Sequence, residues 1–169
     1  MLADLTVETE GSLSGYDRDL FPHWIGQSGN CNTREVVLQR DGTGVTVDNA
    51  CQPVSGSWNS VYDAVWVSSS SDVDIDHIVA LAEAWRSGAD TWSTSQRQAF
   101  ANDLTHAQLI AVSQSSNASK GDRDPSEWMP PNTNTWCIYV REWVWVKHVY
   151  DLSVDSAEKS TLNSVLANC

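Results

Sequence analysis

The side chains with the clearest chemical use are the adjacent Asp76 and His77, at the end of a run rich in apolar residues. A second apolar run, Leu109–Val112, is followed by Asn117, which stands three residues before Lys120. A neutral imidazole can take a proton from water near pH 7, and carboxylate and amide oxygens suit hard divalent cations. A base and two oxygen ligands are the minimum set for metal-assisted hydrolysis of a phosphodiester.

The elements around this pair must bring both side chains to one site. Neighbours on an extended strand point to opposite faces, so Asp76 and His77 can share a site only if the strand ends or bends there. The following residues allow this, because the apolar positions of 78–87 fall on one helical face and Gly88 is a reasonable stop. Taken alone, an Asp-His pair is more often a surface ion pair or the start of a helix.

The rest of the chain carries strand and helix patterns that predict an α+β fold. Arg34–Arg40 is rich in strand formers, residues 41–44 carry a turn signal, and Val45–Val47 is predicted as the returning strand of a small N-terminal hairpin. Leu109–Val112 is predicted as a strand. Helices are predicted from Thr94 or Ser95, over Ser115–Lys120, over Trp136–Tyr150 and from the capping-box residues Asp155–Glu158.

Length and composition fit one globular domain over residues 1–169, since 41% of the residues are hydrophobic and 19% are charged. No apolar run approaches the roughly 20 residues that cross a bilayer, which predicts a soluble protein, and we expect a monomer. Met1–Asp4 offers neither a basic start nor an apolar segment. We therefore expect a secreted protein whose signal peptide has been replaced by a starting Met.

The four cysteines, Cys31, Cys51, Cys137 and Cys169, are widely spaced and form no Cys-x-x-Cys pair, which argues against a zinc knuckle. An even number favours two disulfides in an oxidising compartment. Of the three possible connectivities we favour Cys31–Cys51 and Cys137–Cys169, because each pair flanks a plausible structural unit. Each link would stabilise the fold by about 3–4 kcal/mol. Four free thiols in a cytosolic protein are the alternative.

The formal charge of −12 argues against a protein that coats nucleic acid, because phosphate binding normally needs a basic face. It does not exclude a polyanionic substrate. A bound divalent cation and a few local Arg or Lys residues can make one attractive cleft on an acidic protein.

The spacing of the polar residues resembles the motif of the HNH endonuclease family, whose fold element is the ββα-metal, or His-Me, finger. In that family an Asp-His pair ends the first strand, a polar residue, usually Asn, precedes the second strand, and an Asn or His on the next helix is commonly followed by x-x-Lys. Here these positions are Asp76-His77, Gln108, and Asn117 with Lys120. The nine residues from Gln108 to Asn117 are typical of the family, but Gln108 departs from the usual Asn.

More specifically, the chain resembles a group of secreted bacterial HNH nucleases over most of its length. The resemblance implies a ββα-metal core over residues 73–125 and an enzyme that hydrolyses DNA with little sequence specificity, with RNA as a further substrate. The segments that carry it are Tyr16–Arg18, Phe21–Trp24, Cys31–Glu35, Asp74–Trp85, Phe100–Leu104 and Lys120–Asp122.

The resemblance also implies a role for each residue of the motif. His77 would be the general base that activates water, and Gln108 would brace the loop that carries it. Asp76 and Asn117 would hold one divalent cation, Mg²⁺ or alternatively Mn²⁺, on the scissile phosphate. That cation would stabilise the transition state and the leaving 3′-oxygen, which favours products with a 5′-phosphate.

Several nearby polar residues are secondary candidates. Asp74 could support the ligands, and Glu83 could bind a metal-bound water or orient an arginine. Arg86, Arg97 and Lys120 could contact phosphate, although a solvated surface charge is the alternative for the two arginines.

Two further residues compete with the motif positions. His106 is a rival base, but no Asp precedes it. Asn102 lies fifteen residues before Asn117, which fits the motif poorly and favours a structural role at a helix end.

Three functions therefore remain open. The first is a secreted metal-dependent HNH endonuclease. The second is an inactive extracellular binding module on the same fold, which Gln108 and the acidic charge favour. The third is another metal-dependent phosphoester hydrolase that uses the same pocket.

Overall fold

The structure, a computed structural model, describes all residues from 1 to 169. Its fold is mixed α+β, as predicted, and none of its helices has the length and apolar character needed to cross a membrane. In chain order the elements are β1 (Gly26–Ser28), β2 (Cys31–Asn32), α1 (Thr33–Asp41), β3 (Gly42–Val47), β4 (Pro53–Ser60), β5 (Val65–Val67), β6 (Val73–His77), α2 (Leu81–Arg86), α3 (Thr94–Ala101), β7 (Leu109–Ser113), α4 (Gln114–Lys120), α5 (Trp136–Val149) and α6 (Ser156–Leu166).

The predicted strand Arg34–Arg40 is wrong, because this segment forms α1. The Asn32 side chain accepts a hydrogen bond from the backbone N–H of Glu35, and the Glu35 carboxylate accepts one from the N–H of Asn32. This reciprocal capping starts a helix at the point where β-branched residues would favour a strand. Val37 and Leu38 are then buried on the inner face of the helix.

The hairpin expected in this region lies one element further along the chain. Val45–Val47 belongs to β3, which pairs antiparallel with β4, and β4 pairs in turn with β5. The predicted second strand of the hairpin is therefore present as β3, but its partner is β4 and not the segment Arg34–Arg40. A separate two-stranded sheet, β1 with β2, precedes α1.

The sheet that carries the Asp-His pair consists of β6 and β7 alone. The strands are antiparallel, with Asp74 opposite Val112 and His77 opposite Leu109. The predicted second strand is confirmed, and it leads directly into α4. Two strands and the following helix thus form one contiguous unit around the candidate residues.

The start and end of α4 follow from its terminal residues. The Ser113 hydroxyl accepts a hydrogen bond from the backbone N–H of Ser116, which caps the first turn. Gly121 ends the helix with φ 60°, a conformation that glycine adopts without strain. The predicted helix and its glycine stop are confirmed.

Two side chains of α1 cover the outer edge of β7. Arg40 donates a hydrogen bond to the carbonyl oxygen of Leu109 at 2.5 Å, and Asp41 accepts one from the N–H of Ala111 at 2.9 Å. Arg40 and Asp41 are also paired with each other at 2.6 Å. Two backbone groups of this edge are thus satisfied without a third strand.

The core is divided between two apolar clusters that meet at His77. Val73 and Ile75 pack with residues of α1 and β4 in the smaller cluster. Ile78 and Val79, just after His77, pack into the larger cluster with α2, α3, α5 and α6. The two faces of the β6–β7 sheet thus pack against different clusters, because Leu109 and Ala111 belong to the smaller one and Val112 to the larger one.

Both predicted disulfides are present. Cys31–Cys51 joins β2 to the loop between β3 and β4. Cys137–Cys169 joins the first turn of α5 to the residue at the end of the chain, beyond α6. The second link therefore holds the two C-terminal helices together, as expected.

Candidate active site

Asp76, His77 and Asn117 line one cavity of about 220 Å³ beside β6, α2 and α4. Tyr16 and Arg18, from the N-terminal part of the chain, line the same cavity. The structure therefore brings together the predicted base and the two predicted ligands. The other lining residues are Ile75, Ala80, Leu81, Ala82, Gly121 and Asp122.

His77 is buried, 4% exposed, and its tautomer follows from one contact. Its Nε2 lies 2.9 Å from the carbonyl oxygen of Ala101. A carbonyl oxygen only accepts hydrogen bonds, so Nε2 carries the proton and Nδ1 keeps a free lone pair. Nδ1 has no partner in the protein, yet it is not sealed from solvent. Burial lowers the pKa of His77 to about 3, so the ring is neutral at physiological pH.

An indole covers one face of the His77 ring. Trp24 stacks on the imidazole with centroids 5.5 Å apart and an interplanar angle of 16°. His23 lies edge-on to the same indole at 5.3 Å. The backbone of Trp24 has φ 57°, in the left-handed region that bulky residues rarely adopt.

Asp76 does not contact His77, although the two are adjacent in the chain. Its Oδ1 accepts a hydrogen bond from the Lys120 ammonium at 2.9 Å, and its Oδ2 accepts one from the Tyr62 hydroxyl at 2.7 Å. The ammonium also lies 2.8 Å from Oδ2 in an ion pair. Lys120 also donates to the carbonyl oxygen of His77 at 2.8 Å. The Asp76 carboxylate is thus fixed by a buried ion pair, and Asp76 forms part of the cavity wall.

Asn117 is fixed by the other acidic residue of the strand. Its Nδ2 donates to Asp74 at 2.9 Å, so the amide is oriented and Oδ1 has no protein donor. Asp74 and Asp76 alternate along β6, while Asn117 and Lys120 are three apart on α4. Strand and helix periodicity thus align two pairs side by side, Asp74 with Asn117 and Asp76 with Lys120.

Gln108 is fully buried and bonds the segment that follows His77. Its Nε2 donates to the carbonyl oxygen of Val79 at 2.8 Å, and its Oε1 accepts from the N–H of Val79 at 3.1 Å. Its backbone carbonyl accepts from the N–H of Ile78 at 2.8 Å. These contacts hold residues 78–80 out of the helix expected over 78–87, and α2 begins only at Leu81.

The oxygens available at the cavity suit a hard cation that keeps most of its water. A carboxylate has about four lone-pair sites, of which Asp76 uses two for hydrogen bonds from Lys120 and Tyr62. The Oδ1 of Asn117 is unused. No group of three His, Cys, Asp or Glu side chains could surround an ion. One carboxylate and one amide therefore fit a Mg²⁺-like ion that takes its other ligands from water and substrate phosphate.

Two of the expected phosphate contacts are buried elsewhere. Arg97 donates to the carbonyl oxygens of Leu20, Ala89 and Trp92 and lies outside the cavity. Lys120 is 0% exposed, with its ammonium directed at Asp76 and at the backbone. The expectation that either side chain touches the substrate does not fit these positions, because both charged groups are bonded to protein partners.

Glu83 and Arg86 also lie outside the lining of the cavity. Glu83 is 2% exposed and accepts hydrogen bonds from Lys147 at 2.7 Å and from Ser87 at 2.7 Å. Arg86 pairs with Glu83 and with Asp122, at 3.1 and 2.8 Å. The expected role of Glu83 as ligand to a metal-bound water does not fit, whereas Arg86 borders the cavity through Asp122.

Arg18 is the functional candidate to which the sequence patterns assign no role. It is exposed, lines the cavity, and its guanidinium has no ion pair or hydrogen bond within the protein. It lies near enough to His77 that its positive charge contributes to the lowered pKa of the imidazole. The only signal in the sequence was its place in the Tyr16–Arg18 segment, which is part of the family resemblance.

The rival base His106 has an acidic partner after all, but outside the cavity. Its Nδ1 lies 2.7 Å from the carboxylate of Asp103, three residues earlier. The Tyr150 hydroxyl donates to the same carboxylate at 2.7 Å. No predicted ligand is among these contacts.

Comparison with known proteins points to a nuclease-type family. The family model described as GmrSD restriction endonucleases, C-terminal domain, matches residues 43–165, well over half of the chain. A protein of Arthroderma benhamiae named "Uncharacterized secreted protein" is 58% identical over 169 residues, which are 100% of this chain and 83% of that protein. No solved structure matches. The protein is secreted, as its two disulfides also indicate.

Proposed function

We propose that this chain, which belongs to the family of the C-terminal domains of GmrSD restriction endonucleases, is a secreted HNH-type endonuclease. It hydrolyses phosphodiester bonds of DNA, and also of RNA, with the help of one divalent cation. The arrangement of β6, β7 and α4 supports a ββα-metal core over residues 73–125.

The observation that carries the proposal is the state of His77. The hydrogen bond to Ala101 fixes the proton on Nε2, and the free Nδ1 can therefore take a proton from water. Asp76 and Asn117 lie on the walls of the same cavity, where the phosphate would sit. An imidazole nitrogen without a protein partner, on the same cavity as two candidate oxygen ligands, supports the role of base.

Arg18 provides the positive charge that a polyanion needs on this acidic surface. Its unpaired guanidinium can donate two parallel hydrogen bonds to the non-bridging oxygens of a phosphate. Bound there, the phosphodiester lies between Arg18 and His77. Such a contact would let a chain of net charge −12 attract nucleic acid at this cavity.

Asp76 and Asn117 would hold the cation. When bound, a divalent cation supplies positive charge that offsets the charge developing on the phosphate and on the leaving 3′-oxygen. Asp74 orients the Asn117 amide, Lys120 and Tyr62 orient Asp76, and Gln108 holds the turn after His77. Products with a 5′-phosphate are expected.

The test is a plasmid-nicking assay with Mg²⁺ or Mn²⁺, with and without EDTA. We expect nicking that EDTA abolishes and that His77→Ala reduces by about 10³-fold or more without unfolding the protein. His106→Ala is the matched control, because it removes an imidazole that is bonded to Asp103 and lies outside the cavity. Full activity of His77→Ala, or equal loss in both variants, would contradict the proposal.

The ion pair between Lys120 and Asp76 favours one other function, a binding module that has lost catalysis. In that case a positive side chain would stand where the cation is needed. The plasmid-nicking assay and a mobility-shift experiment together separate the two functions. The binding module would bind DNA in the mobility shift but would not nick the plasmid with either metal.

A further inference from the structure

We propose that Trp24 is a positioning residue for His77, and that Asn102 maintains the backbone conformation that presents its indole. The inference rests on the proposed function, because it takes His77 to be the base. It assigns a role to two residues that lie outside the Asp-His, Gln and Asn motif.

The backbone of Trp24 is strained. At φ 57° its Cβ meets the neighbouring carbonyl, a conformation that costs little for glycine and more for a bulky aromatic residue. Such a conformation persists only where the surrounding structure enforces it, and such residues cluster at functional sites. Two features of the structure therefore matter: the contact that enforces this conformation and the functional role that the conformation supports.

Asn102 is the enforcing contact. Its Oδ1 accepts from the N–H of Ile25 at 3.1 Å and from the hydroxyl of Thr33 at 2.8 Å. Its Nδ2 donates to the carbonyl oxygen of Pro22 at 2.7 Å and to that of Gln98 at 2.8 Å. Asn102 thus bonds the backbone on both sides of residues 23–24 and is itself buried, 6% exposed.

The functional role of the Trp24 indole is to orient the imidazole of His77. The hydrogen bond from His77 Nε2 to Ala101 fixes one atom of the ring but leaves its plane free to tilt. The parallel indole of Trp24 fixes that plane. Ala101 and Asn102 are consecutive at the end of α3, so one helix end controls both restraints. Together they direct Nδ1 toward the cavity, where a small misplacement would slow proton transfer.

The first experiment compares the turnover of Trp24→Leu, Trp24→Phe and Trp66→Leu on a defined DNA duplex. Trp66 is the control, because it is 63% exposed on β5 and does not touch His77. Trp24→Leu is expected to lower kcat by about 10- to 100-fold with KM within about twofold, because the loss is one of alignment. Trp24→Phe keeps a ring and should recover most of kcat, and Trp66→Leu should match the wild type.

The second experiment needs neither metal nor substrate. In ¹H–¹³C spectra of the histidine rings, the ring current of Trp24 should shift the protons of His77, whose signals are assigned with His77→Ala. Trp24→Leu should remove this shift, Trp24→Phe should retain part of it, and Trp66→Leu should leave it unchanged. An unchanged shift in Trp24→Leu would overturn the stacking on which the inference depends.

The strain has its own test. Trp24→Gly and Trp24→Ala both remove the indole, but only glycine relieves the left-handed conformation. Trp24→Gly should therefore melt at a higher temperature than Trp24→Ala. A lower melting temperature for Trp24→Gly than for Trp24→Ala would overturn the claim that the backbone of Trp24 is strained.

The outcomes separate this inference from the proposed function. A lost ring-current shift with kcat of Trp24→Leu within twofold of Trp66→Leu would overturn the positioning role while the wild type still cuts DNA. A wild-type protein that cuts no nucleic acid would overturn both.

Discussion

Two lysines are completely buried in this protein, and each is bonded to carboxylates, yet their surroundings differ. Lys147, on α5, bonds Glu83 at 2.7 Å and Glu158 at 3.0 Å. Lys120, on α4, bonds Asp76 at 2.8 Å. The carboxylates of the Lys147 cluster are enclosed by helices, whereas Asp76 lies on the wall of a cavity beside a neutral imidazole.

The comparison teaches that a buried ion pair alone does not identify a functional site. Around Lys147 the remaining hydrogen-bonding groups are occupied by the hydroxyl of Ser87 and the carbonyl oxygen of Ser153. Around Asp76, the neighbouring Asn117 oxygen and His77 Nδ1 have no protein partner. The unused polar atoms, rather than the charges, distinguish the site from the structural cluster.

The largest expected effect is on stability at the Lys147 cluster. Lys147→Met should leave the buried Glu158 carboxylate without a cation and Glu83 with Arg86 as its one remaining cation. It should cost about 3–5 kcal/mol of unfolding free energy, with nicking by the folded protein unchanged. Denaturant unfolding measures this. Lys159→Met is the control, because that lysine bonds only the carbonyl oxygen of Leu5. A loss of activity in folded Lys147→Met would break the distinction between the two lysines.

Lys120→Met should have a smaller effect on stability and a larger one at the cavity. Asp76 keeps its bond from Tyr62 and can reach water, so we expect a loss of about 1–3 kcal/mol. A cation competes with the ammonium for this carboxylate, so Mn²⁺ should bind more tightly to the variant, as measured by calorimetry. Equal destabilisation in both lysine variants, with unchanged Mn²⁺ affinity, would contradict this.

The two regions should respond to pH in opposite directions. Burial raises the pKa of Glu158 to about 7 from 4.5, so its contribution to stability is present below pH 4.5 and lost as pH rises through about 7. Burial lowers the pKa of His77 to about 3 from 6.5, so its contribution is present above pH 6.5 and lost as pH falls through about 3.

Unfolding curves with EDTA across this range would measure both contributions. Glu158→Gln should flatten the decline between pH 4.5 and 7, and His77→Gln the decline on the acid side. A pH profile that neither substitution alters would contradict both assignments, because it would show that neither side chain sets the pH dependence of stability.

The smallest effect should come from Arg18, the exposed arginine that we expect to contact the substrate, and not from either buried lysine. Arg18→Gln should weaken DNA binding severalfold and reduce the salt slope by about one, the loss of one phosphate contact. Arg141→Gln removes the same charge from another exposed position and should change little. Mobility shifts at several salt concentrations measure both, and equal effects would remove Arg18 from the site.

Local sequence signals predicted much of this fold. The Gly121 stop, the strand before α4 and the capping box of Asp155 depend on neighbouring residues, and each lies where it was expected. The helix α1 was missed because its valines favoured a strand. The capping pair Asn32 and Glu35 was the signal that could have revealed it.

Contacts between distant residues could not be predicted in this way. Arg97 bonds Leu20 from 77 positions away, and Lys147 bonds Glu83 from 64 positions away. The sequence therefore left Arg97 as a candidate phosphate contact or a surface charge, and it gave no signal for the partners of Lys147. The cavity also depends on residues that are distant in the sequence. Arg18 and Trp24 come close to His77 only when the N-terminal segment folds over the end of β6.

The covered edge of β7 has a consequence for how this secreted protein behaves at high concentration. An uncovered edge strand invites another chain to add its own strand, which leads to domain swapping or fibrils. With Arg40 and Asp41 bonded to Leu109 and Ala111, an incoming strand would first have to displace both side chains. The strand opposite His77 is thereby protected from self-assembly that would distort the site.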